Sequence, residues 1–310
     1  QIGENNPMLG LVESTESESR ALSRVYNIEE ASEASEIPIL NPRDKSNRIQ
    51  IRVIGSIEDL TRGIVNIPET AIAPGTKIAH ALKTQLEQIF DKDDGHSIRI
   101  ANLKGTNDIN VRINIEAFSQ HLAILAMSGM GKSNLVAGIM HQVDEIGGTM
   151  VIYDYHDDYG DLNLKNMNKM NPLINPIYLD ASEVAGLIGI SKTATVQHEV
   201  FRNGFTKEVK NSRAFWETLI EKIKENNPQK QDVPAVSRVI AKIEFAQKYQ
   251  KILDPDIGNP INLLKDSKIN VISLEGLSEH QAKIVVNFYM KKIFEDRKKC
   301  LQNKNSIFKK

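Results

Sequence analysis

The stretch HLAILAMSGMGKSNLVAGIM, residues 121–140, determines how the rest of the sequence is interpreted. The apolar run at 121–126 predicts a strand, residues 128–133 bring together two glycines, a lysine and a serine, and the residues that follow suit a helix. Glycines let successive backbone N–H groups turn toward an anion, and the start of a helix adds the positive end of its dipole. This junction therefore predicts a loop that binds a nucleoside triphosphate.

The loop matches the pattern G-x-x-x-x-G-K-[ST] except at its first position, where Ala126 replaces glycine. We expect Lys132 to contact the β- and γ-phosphates and Ser133 to bind Mg²⁺ through its hydroxyl. A glycine-rich helix entry with a surface lysine is the competing interpretation, which the flanking strand and helix disfavour. The residues predicted to bind ATP are Ser128, Gly129, Met130, Gly131, Lys132, Ser133 and Asn134.

A second motif, YDYHDDY at 153–159, follows the apolar run MVIYD. Ligands bind at the carboxyl ends of strands in open α/β sheets, so we expect its carboxylates at the same edge as the glycine loop. Asp154 is a candidate for holding a Mg²⁺-bound water or for orienting the attacking water, and His156, Asp157 and Asp158 also suit metal ligation. The competing interpretations are a solvated acidic turn and, for His156, a structural hydrogen bond.

The residues before the glycine loop have the two-residue periodicity of β-strands. Residues 47–57, NRIQIRVIGSI, alternate apolar and polar side chains, and residues 98–115 predict a hairpin that turns at Gly105. Residues 12–36 are rich in Ser and Glu and predict a solvated loop or helix. Closely spaced short strands are typical of a small barrel, so residues 1–100 are predicted to form a β-rich, barrel-like domain.

The residues after the second motif turn helical and then return to a strand. Phe215, Leu219 and Ile223 recur at four-residue spacing, which predicts the buried face of a helix. The run INVIS predicts a buried strand, and Ser278 followed by Gln281 is a capping-box signature. The predicted fold class is α/β, in four segments: a β-rich domain at 1–100, the first part of a P-loop core at 101–180, a helical insertion at 181–262 and a return to the core at 263–310.

Composition restricts the classes of function that remain. The 310 residues carry 39 Lys and Arg against 40 Asp and Glu, so any contact with DNA would be confined to a local patch or channel. The single cysteine, Cys300, excludes an internal disulfide and suits a reducing compartment. No apolar run reaches the roughly 18 to 20 residues that cross a bilayer. We expect a soluble, cytoplasmic protein with no membrane partner.

These motifs together resemble the archaeal HerA family, hexameric DNA-pumping ATPases related to FtsK. HLAILAMSGMGKSN and VIYDYHDDY are similar to the family's ATPase core, GLVEST and IPETAIAPGTKI to its N-terminal HAS barrel, and residues 181–262 to its helical insertion. The resemblance extends over nearly the whole chain. It implies a RecA-like P-loop NTPase core with an N-terminal small β-barrel and a helical insertion.

The resemblance also implies roles for residues, the cofactors ATP and Mg²⁺, and partners. By position, Lys132 and Ser133 are similar to the family's nucleotide and Mg²⁺ residues, and Asp154 to the aspartate of its Asp-x-His-Gly-Glu-Tyr element. The implied activity is ATP-dependent translocation or unwinding of double-stranded DNA by a homo-oligomeric, hexameric ring. A NurA-like nuclease is the implied partner, in DNA end resection and recombinational repair. The predicted metal residues are Ser133 and Asp154, and the predicted catalytic residues are Lys132, Asp154 and Asp158.

This sequence departs from the family pattern at three positions. Asp157 replaces the usual glycine, Asp158 the usual glutamate, and Gln120 a common arginine. The side chain of Asp158 is one methylene shorter than that of glutamate, and its carboxylate is expected to act through water. We also expect this chain to be a fragment, with the family's Walker B strand and arginine finger following the point where it stops. Glu275 in NVISLEG resembles a Walker B glutamate, but a structural strand end is the favoured interpretation.

Two other functions remain open from the sequence. A P-loop kinase or metabolic NTPase of another class would transfer phosphate to a small acceptor, although no acceptor-binding motif is evident. A non-catalytic module would bind nucleotide, or dock a nuclease, without turnover. ATP hydrolysis stimulated by DNA distinguishes the translocase from both, and the activity of this stretch by itself is left open.

Overall fold

A computed structural model describes most of the chain, and contacts within it define two compact units. These units are Gln1–Leu122 and Ala123–Lys310, and each is described by itself. The predicted domain boundary at residue 100 differs from this division because the strand that ends at Asn114 pairs with the strand that begins at Ser97. The four predicted segments remain predictions. The described residues are 7–19, 45–66, 72–105, 108–228, 233–250, 252–302 and 306–308.

The described residues of the first unit form four strands, two short α-helices and a final 3₁₀ turn. β1 pairs with β2, and β3 with β4, both in antiparallel register. The hairpin predicted around Gly105 is confirmed by the β3–β4 pair. The elements are β1 (Met8–Ser19), β2 (Lys45–Ser56), α1 (Ile57–Thr61), α2 (Lys83–Phe90), β3 (Ser97–Asn102), β4 (Asn110–Asn114) and the 3₁₀ turn Ile115–Gln120.

The small barrel predicted for this region is not formed by the described residues. They make two separate two-stranded sheets and no closed barrel, because closure needs each strand to bond with a neighbour on both sides. The loop or helix predicted for residues 12–36 is wrong for 12–19, which belong to β1, and residues 12–18 of this strand are exposed. Residues 20–44 and 67–71, which belong to the same predictions, lie outside the described residues.

The second unit is an α/β unit whose described helices lie before, between and after three strands. The longest described helix comes last, and a short π-helical turn, Ala246–Gln250, extends the sixth of these helices before the last strand. The elements are α3 (Lys132–Glu145), β5 (Met150–Asp154), β6 (Met167–Met170), α4 (Ala181–Leu187), α5 (Thr195–Gly204), α6 (Lys207–Asn211), α7 (Phe215–Asn226), α8 (Val233–Phe245), β7 (Ile269–Ser273) and α9 (Glu279–Leu301).

The three strands form one parallel sheet in the order β5-β7-β6. The strands predicted from MVIYD and INVIS are confirmed as β5 and β7, and every residue of the central β7 is buried. Asp154 lies opposite Ser273 in the register, so the carboxyl ends of β5 and β7 meet at one edge. β6 has the sequence MNKM, and its mixed polarity gave no strand signal.

The strand predicted at residues 121–126 is wrong. These residues have no strand assignment, and Leu125 is 90 % exposed. An apolar run becomes a buried strand only where a neighbouring strand offers hydrogen bonds. Among the described residues, the parallel sheet contains β5, β7 and β6 alone, so the run before the glycine loop has no strand beside it.

The core of the second unit lies mainly between the helices and β7. The predicted helical face is confirmed, since Phe215, Leu219 and Ile223 of α7 are all buried. The capping box is confirmed as well: the N–H of Gln281 donates to the Ser278 hydroxyl, and the Ser278 N–H donates to the Gln281 side chain. Within the part of the chain that the structure describes, no helix is long and apolar enough to span a membrane.

Candidate phosphate-binding site

The glycine loop adopts a backbone conformation that is available to it because of its two glycines. Gly129 has φ 79° and Gly131 has φ 85°, in the left-handed region that L side chains rarely adopt. Gly131 is the N-cap of α3 and provides no side chain to cap it. Its carbonyl accepts the N–H of Leu135 at 2.9 Å, which begins the helical hydrogen bonding. The N–H groups of Lys132, Ser133 and Asn134 precede that bond, so they are available to an anion.

The side chains around these N–H groups fit a polyphosphate. Lys132 is exposed at the first position of the helix, and residues 128–130 are exposed as well. A helix of 14 residues begins there, so the positive end of its dipole and the Lys132 ammonium lie beside the loop. The N-cap is glycine, so it has no side chain that could occupy the N-terminus. The loop can therefore bind negative charge at close range.

The two sequence motifs meet at the Ser133 hydroxyl. Ser133 Oγ donates a hydrogen bond to Asp158 Oδ2 at 2.9 Å. Tyr159 is the next residue, and burial raises the pKa of its phenol while its hydrogen bond with Ser133 works in the opposite direction. The expectation that both motifs lie at one edge of the sheet is therefore confirmed for Ser133 and Asp158.

Asp154 acts as an anchor for the loop that follows it. The residue is 2 % exposed, and its two carboxylate oxygens accept the N–H groups of Asp158, at 3.1 Å, and of Tyr159, at 2.9 Å. Its main-chain carbonyl accepts the N–H of Leu274 at 2.7 Å, which ties the end of β5 to the residue after β7. Both oxygens are engaged with the main chain, so the predicted Mg²⁺ and catalytic roles of Asp154 stay predictions.

The metal cluster considered for His156, Asp157 and Asp158 does not form. Among the described residues, no three His, Cys, Asp or Glu side chains converge in a way that could hold a metal ion. His156 instead packs edge-on against the Tyr155 ring, with ring centroids 5.2 Å apart. Asp157 is paired with the ammonium of Lys169 at 3.3 Å. The carboxylates of this motif therefore point to different partners.

Oxygen ligands suitable for Mg²⁺ are nevertheless present beside the loop. Mg²⁺ is typically bound through one or two protein oxygens together with phosphates and waters. The Ser133 hydroxyl and the Asp158 carboxylate, 2.9 Å apart, provide this chemistry at the helix N-terminus. These two residues would hold the cation, which would neutralise charge on the phosphates.

Glu275 lies two residues beyond the end of β7 and is exposed. Its main-chain N–H donates to the Ser273 hydroxyl at 3.4 Å, as in a turn that follows a strand. This geometry agrees with the favoured interpretation of a structural strand end.

Three residues near the site were missed by sequence reasoning. Tyr159 contacts Ser133, while Lys169 and Gly160 surround the Asp157 carboxylate. Tyr159 belongs to the second motif, but its residue type and spacing predict no role for it. Lys169 stands in a short strand with no clear periodicity, so only the pairing of β6 with β7 reveals its position.

The parallel sheet and the glycine loop before α3 are consistent with a P-loop NTPase-like domain. Comparison with known families matches residues 98–293 to the family described as "Helicase HerA, central domain". That match covers well over half of the chain. The chain therefore belongs to the HerA helicase family.

Curated relatives agree with this family. The chain is 34% identical over 283 residues to the "DNA double-strand break repair helicase HerA" of Sulfolobus acidocaldarius, covering 86% of this chain and 56% of the relative. It is 32% identical over 259 residues to the protein of the same name from Saccharolobus solfataricus, covering 78% and 51% respectively. The chain thus spans about half the length of these relatives.

Proposed function

We propose that this chain is the nucleotide-binding part of an ATP-dependent DNA translocase or helicase of the HerA type. The observation that carries the proposal is the left-handed Gly129 and Gly131 loop leading into α3, with the Ser133 hydroxyl held against the Asp158 carboxylate. A loop of this kind binds phosphates through backbone N–H groups, and the paired oxygens suit a hydrated Mg²⁺. Membership of the HerA helicase family supports the same function.

Each residue has a defined role in this proposal. The N–H groups of Lys132, Ser133 and Asn134 and the Lys132 ammonium bind the phosphates of ATP, and Ser133 takes one position on Mg²⁺. Bound Mg²⁺ would neutralise charge on the terminal phosphates. Asp158 would hold the same cation through a bound water, and Asp154 orients the loop that carries Asp158.

The relatives' names support the proposed substrate. Proteins named DNA double-strand break repair helicases match most of this chain, so we propose double-stranded DNA as the polymer on which the whole protein acts. A hexameric ring and a NurA-like nuclease partner in end resection are included in the proposal on the basis of the family resemblance. The HAS-type barrel is not part of it.

The first test is nucleotide binding by this chain. Lys132→Ala removes a charge-assisted contact, for which we expect a loss of about 1.5–3 kcal/mol, or roughly 10- to 150-fold in Kd, for a fluorescent ATP analogue with Mg²⁺. Lys224→Ala on α7 is the matched control, because Lys224 is also an exposed helical lysine. The variants are compared by equilibrium titration after circular dichroism has shown that both are folded.

Two results would contradict the proposal. Unchanged affinity in Lys132→Ala would remove the phosphate-binding role of the loop, and equal losses in both variants would mean that the effect is one of net charge. A kinase of another class would instead show transfer of the γ-phosphate to a small acceptor, which thin-layer analysis of labelled ATP would detect.

A further inference from the structure

We propose that Lys169, on the edge strand β6, is a positioning residue for the phosphate site and acts through Asp157. Its ammonium lies 3.3 Å from Asp157 Oδ1. That oxygen is buried and has no aligned hydrogen bond in the described part of the chain, so the contact is an ion pair. Asp157 itself has φ 55°, a left-handed backbone that a non-glycine residue adopts at a cost. The ion pair stabilises the loop in this conformation.

Gly160 provides the space in which this ion pair forms. The residue is buried, and a Cβ built on it would lie 2.1 Å from Lys169 Nζ and 2.8 Å from Asp157 Oδ1. Any side chain at 160 would therefore displace the ammonium from the carboxylate. Asp157 and Lys169 thus form a polar contact between two segments of the chain. The absence of a side chain at Gly160 leaves room for this contact.

The contact determines where Asp158 points. Asp157 and Asp158 are adjacent, so fixing the left-handed turn at 157 directs the next carboxylate toward Ser133 Oγ, 2.9 Å away. The Asp154 carboxylate holds the same loop through the N–H groups of Asp158 and Tyr159. The loop is therefore attached to two strands, at Asp154 of β5 and at Lys169 of β6. The role of Lys169 in nucleotide binding rests on the function proposed above.

The first test measures the loop directly by hydrogen exchange. Lys169→Met removes the charge and keeps the aliphatic stem, and Gly160→Ala displaces the ammonium. For an ion pair of this exposure we expect the amides of Asp158 and Tyr159 to exchange roughly two- to fivefold faster in both variants. Lys165→Met and Gly138→Ala are the controls, since Lys165 and Gly138 are exposed and a Cβ at 138 meets no atom within 4 Å.

Asp157→Gly tells whether Lys169 acts through Asp157. Glycine adopts the left-handed backbone readily, so the loop no longer needs the ion pair. We expect Lys169→Met to have no further effect on exchange in the Asp157→Gly background. An equal effect of Lys169→Met in both backgrounds, or no effect in either, would overturn the proposal.

The second test measures how much Mg²⁺ adds to the affinity for nucleotide. A lysine that only stabilised the fold would not change this contribution of Mg²⁺. Affinity for the ATP analogue is measured with Mg²⁺ and with EDTA. We expect Lys169→Met to reduce the gain from Mg²⁺ by roughly two- to fivefold while the affinity in EDTA stays the same. Equal losses under both conditions would show that Lys169 acts on the fold and not on the site. Failure of the unaltered chain to bind nucleotide would count against the proposed function, while the exchange measurement would still decide whether Lys169 holds the loop.

Discussion

At the residue scale, two buried carboxylates near the site hold the main chain around them through hydrogen bonds. Asp154 and Asp144 are both buried, and each accepts two main-chain N–H groups from the segment between β5 and β6. A buried carboxylate needs such donors, because an unpaired one costs several kcal/mol. These aspartates shape the loops around α3 and β5.

Replacing Asp154 tests its role as an anchor. Asp154→Asn turns one accepting oxygen into an NH₂ group that faces an N–H donor, so we expect the free energy of unfolding to fall by about 1–3 kcal/mol. Urea unfolding followed by circular dichroism measures this change. Asp161→Asn in the same loop is exposed and should change it by less than about 0.5 kcal/mol. Equal stability of the two variants would contradict the anchoring role.

At the element scale, the longest helix is fixed to the residues that follow β6. The Tyr289 hydroxyl of α9 donates to the carbonyl of Leu173 at 2.9 Å and accepts its N–H at 3.3 Å. The Tyr289 side chain is fully buried, and burial raises the pKa of its phenol to about 12. One phenol thus satisfies both main-chain groups of a residue between the sheet and the helical region.

This contact has a consequence for stability and its pH dependence. Tyr289→Phe leaves both groups of Leu173 without the phenol, so we expect a loss of about 1–3 kcal/mol in unfolding free energy. The pKa is raised in the folded state, so the phenol's contribution is complete below pH 10 and is lost as pH rises through about 12. Chemical unfolding at pH 8 and at pH values above 10 measures the phenol's contribution to stability.

Tyr249→Phe is the control for that measurement, because Tyr249 is 60% exposed. The difference in stability between the unaltered chain and Tyr289→Phe should shrink as the pH rises above 10, whereas the Tyr249→Phe difference should stay near zero. A constant difference across this range would show that ionisation of Tyr289 does not contribute.

At the scale of the whole molecule, the described residues include a glycine loop before a helix and one parallel sheet, and the chain spans about half the length of its curated relatives. Phosphoryl transfer depends on groups that position water and stabilise charge, and their absence can cost several orders of magnitude in rate. A version extended to the relatives' length is therefore expected to hydrolyse ATP much faster than these 310 residues, and linear duplex DNA should accelerate it.

Phosphate release with and without DNA measures this prediction. Lys132→Ala in the extended protein is the control and should abolish the DNA-stimulated rate. Rapid, DNA-independent hydrolysis by the 310-residue chain would contradict the prediction, because the Asp158 loop would then provide the whole of the chemistry.

The sequence by itself determined the glycine loop, β5, β7, the buried face of α7 and the Ser278 cap. These signals are local, since they depend on spacing within a few residues and on the backbone freedom of glycine. It also indicated that Ser133 and the second acidic motif share one edge. It predicted a strand at 121–126 and a barrel that the described residues do not form, because strands depend on partners distant in sequence.

Only the tertiary structure decided what each acidic residue of the second motif contacts. Asp154 is engaged by main-chain N–H groups, Asp157 by Lys169, and Asp158 by Ser133. Adjacent carboxylates have the same chemistry in the sequence, and they differ only in the direction that the loop gives them. That direction depends on a left-handed residue, a glycine and a lysine on a neighbouring strand, which no local pattern brings together.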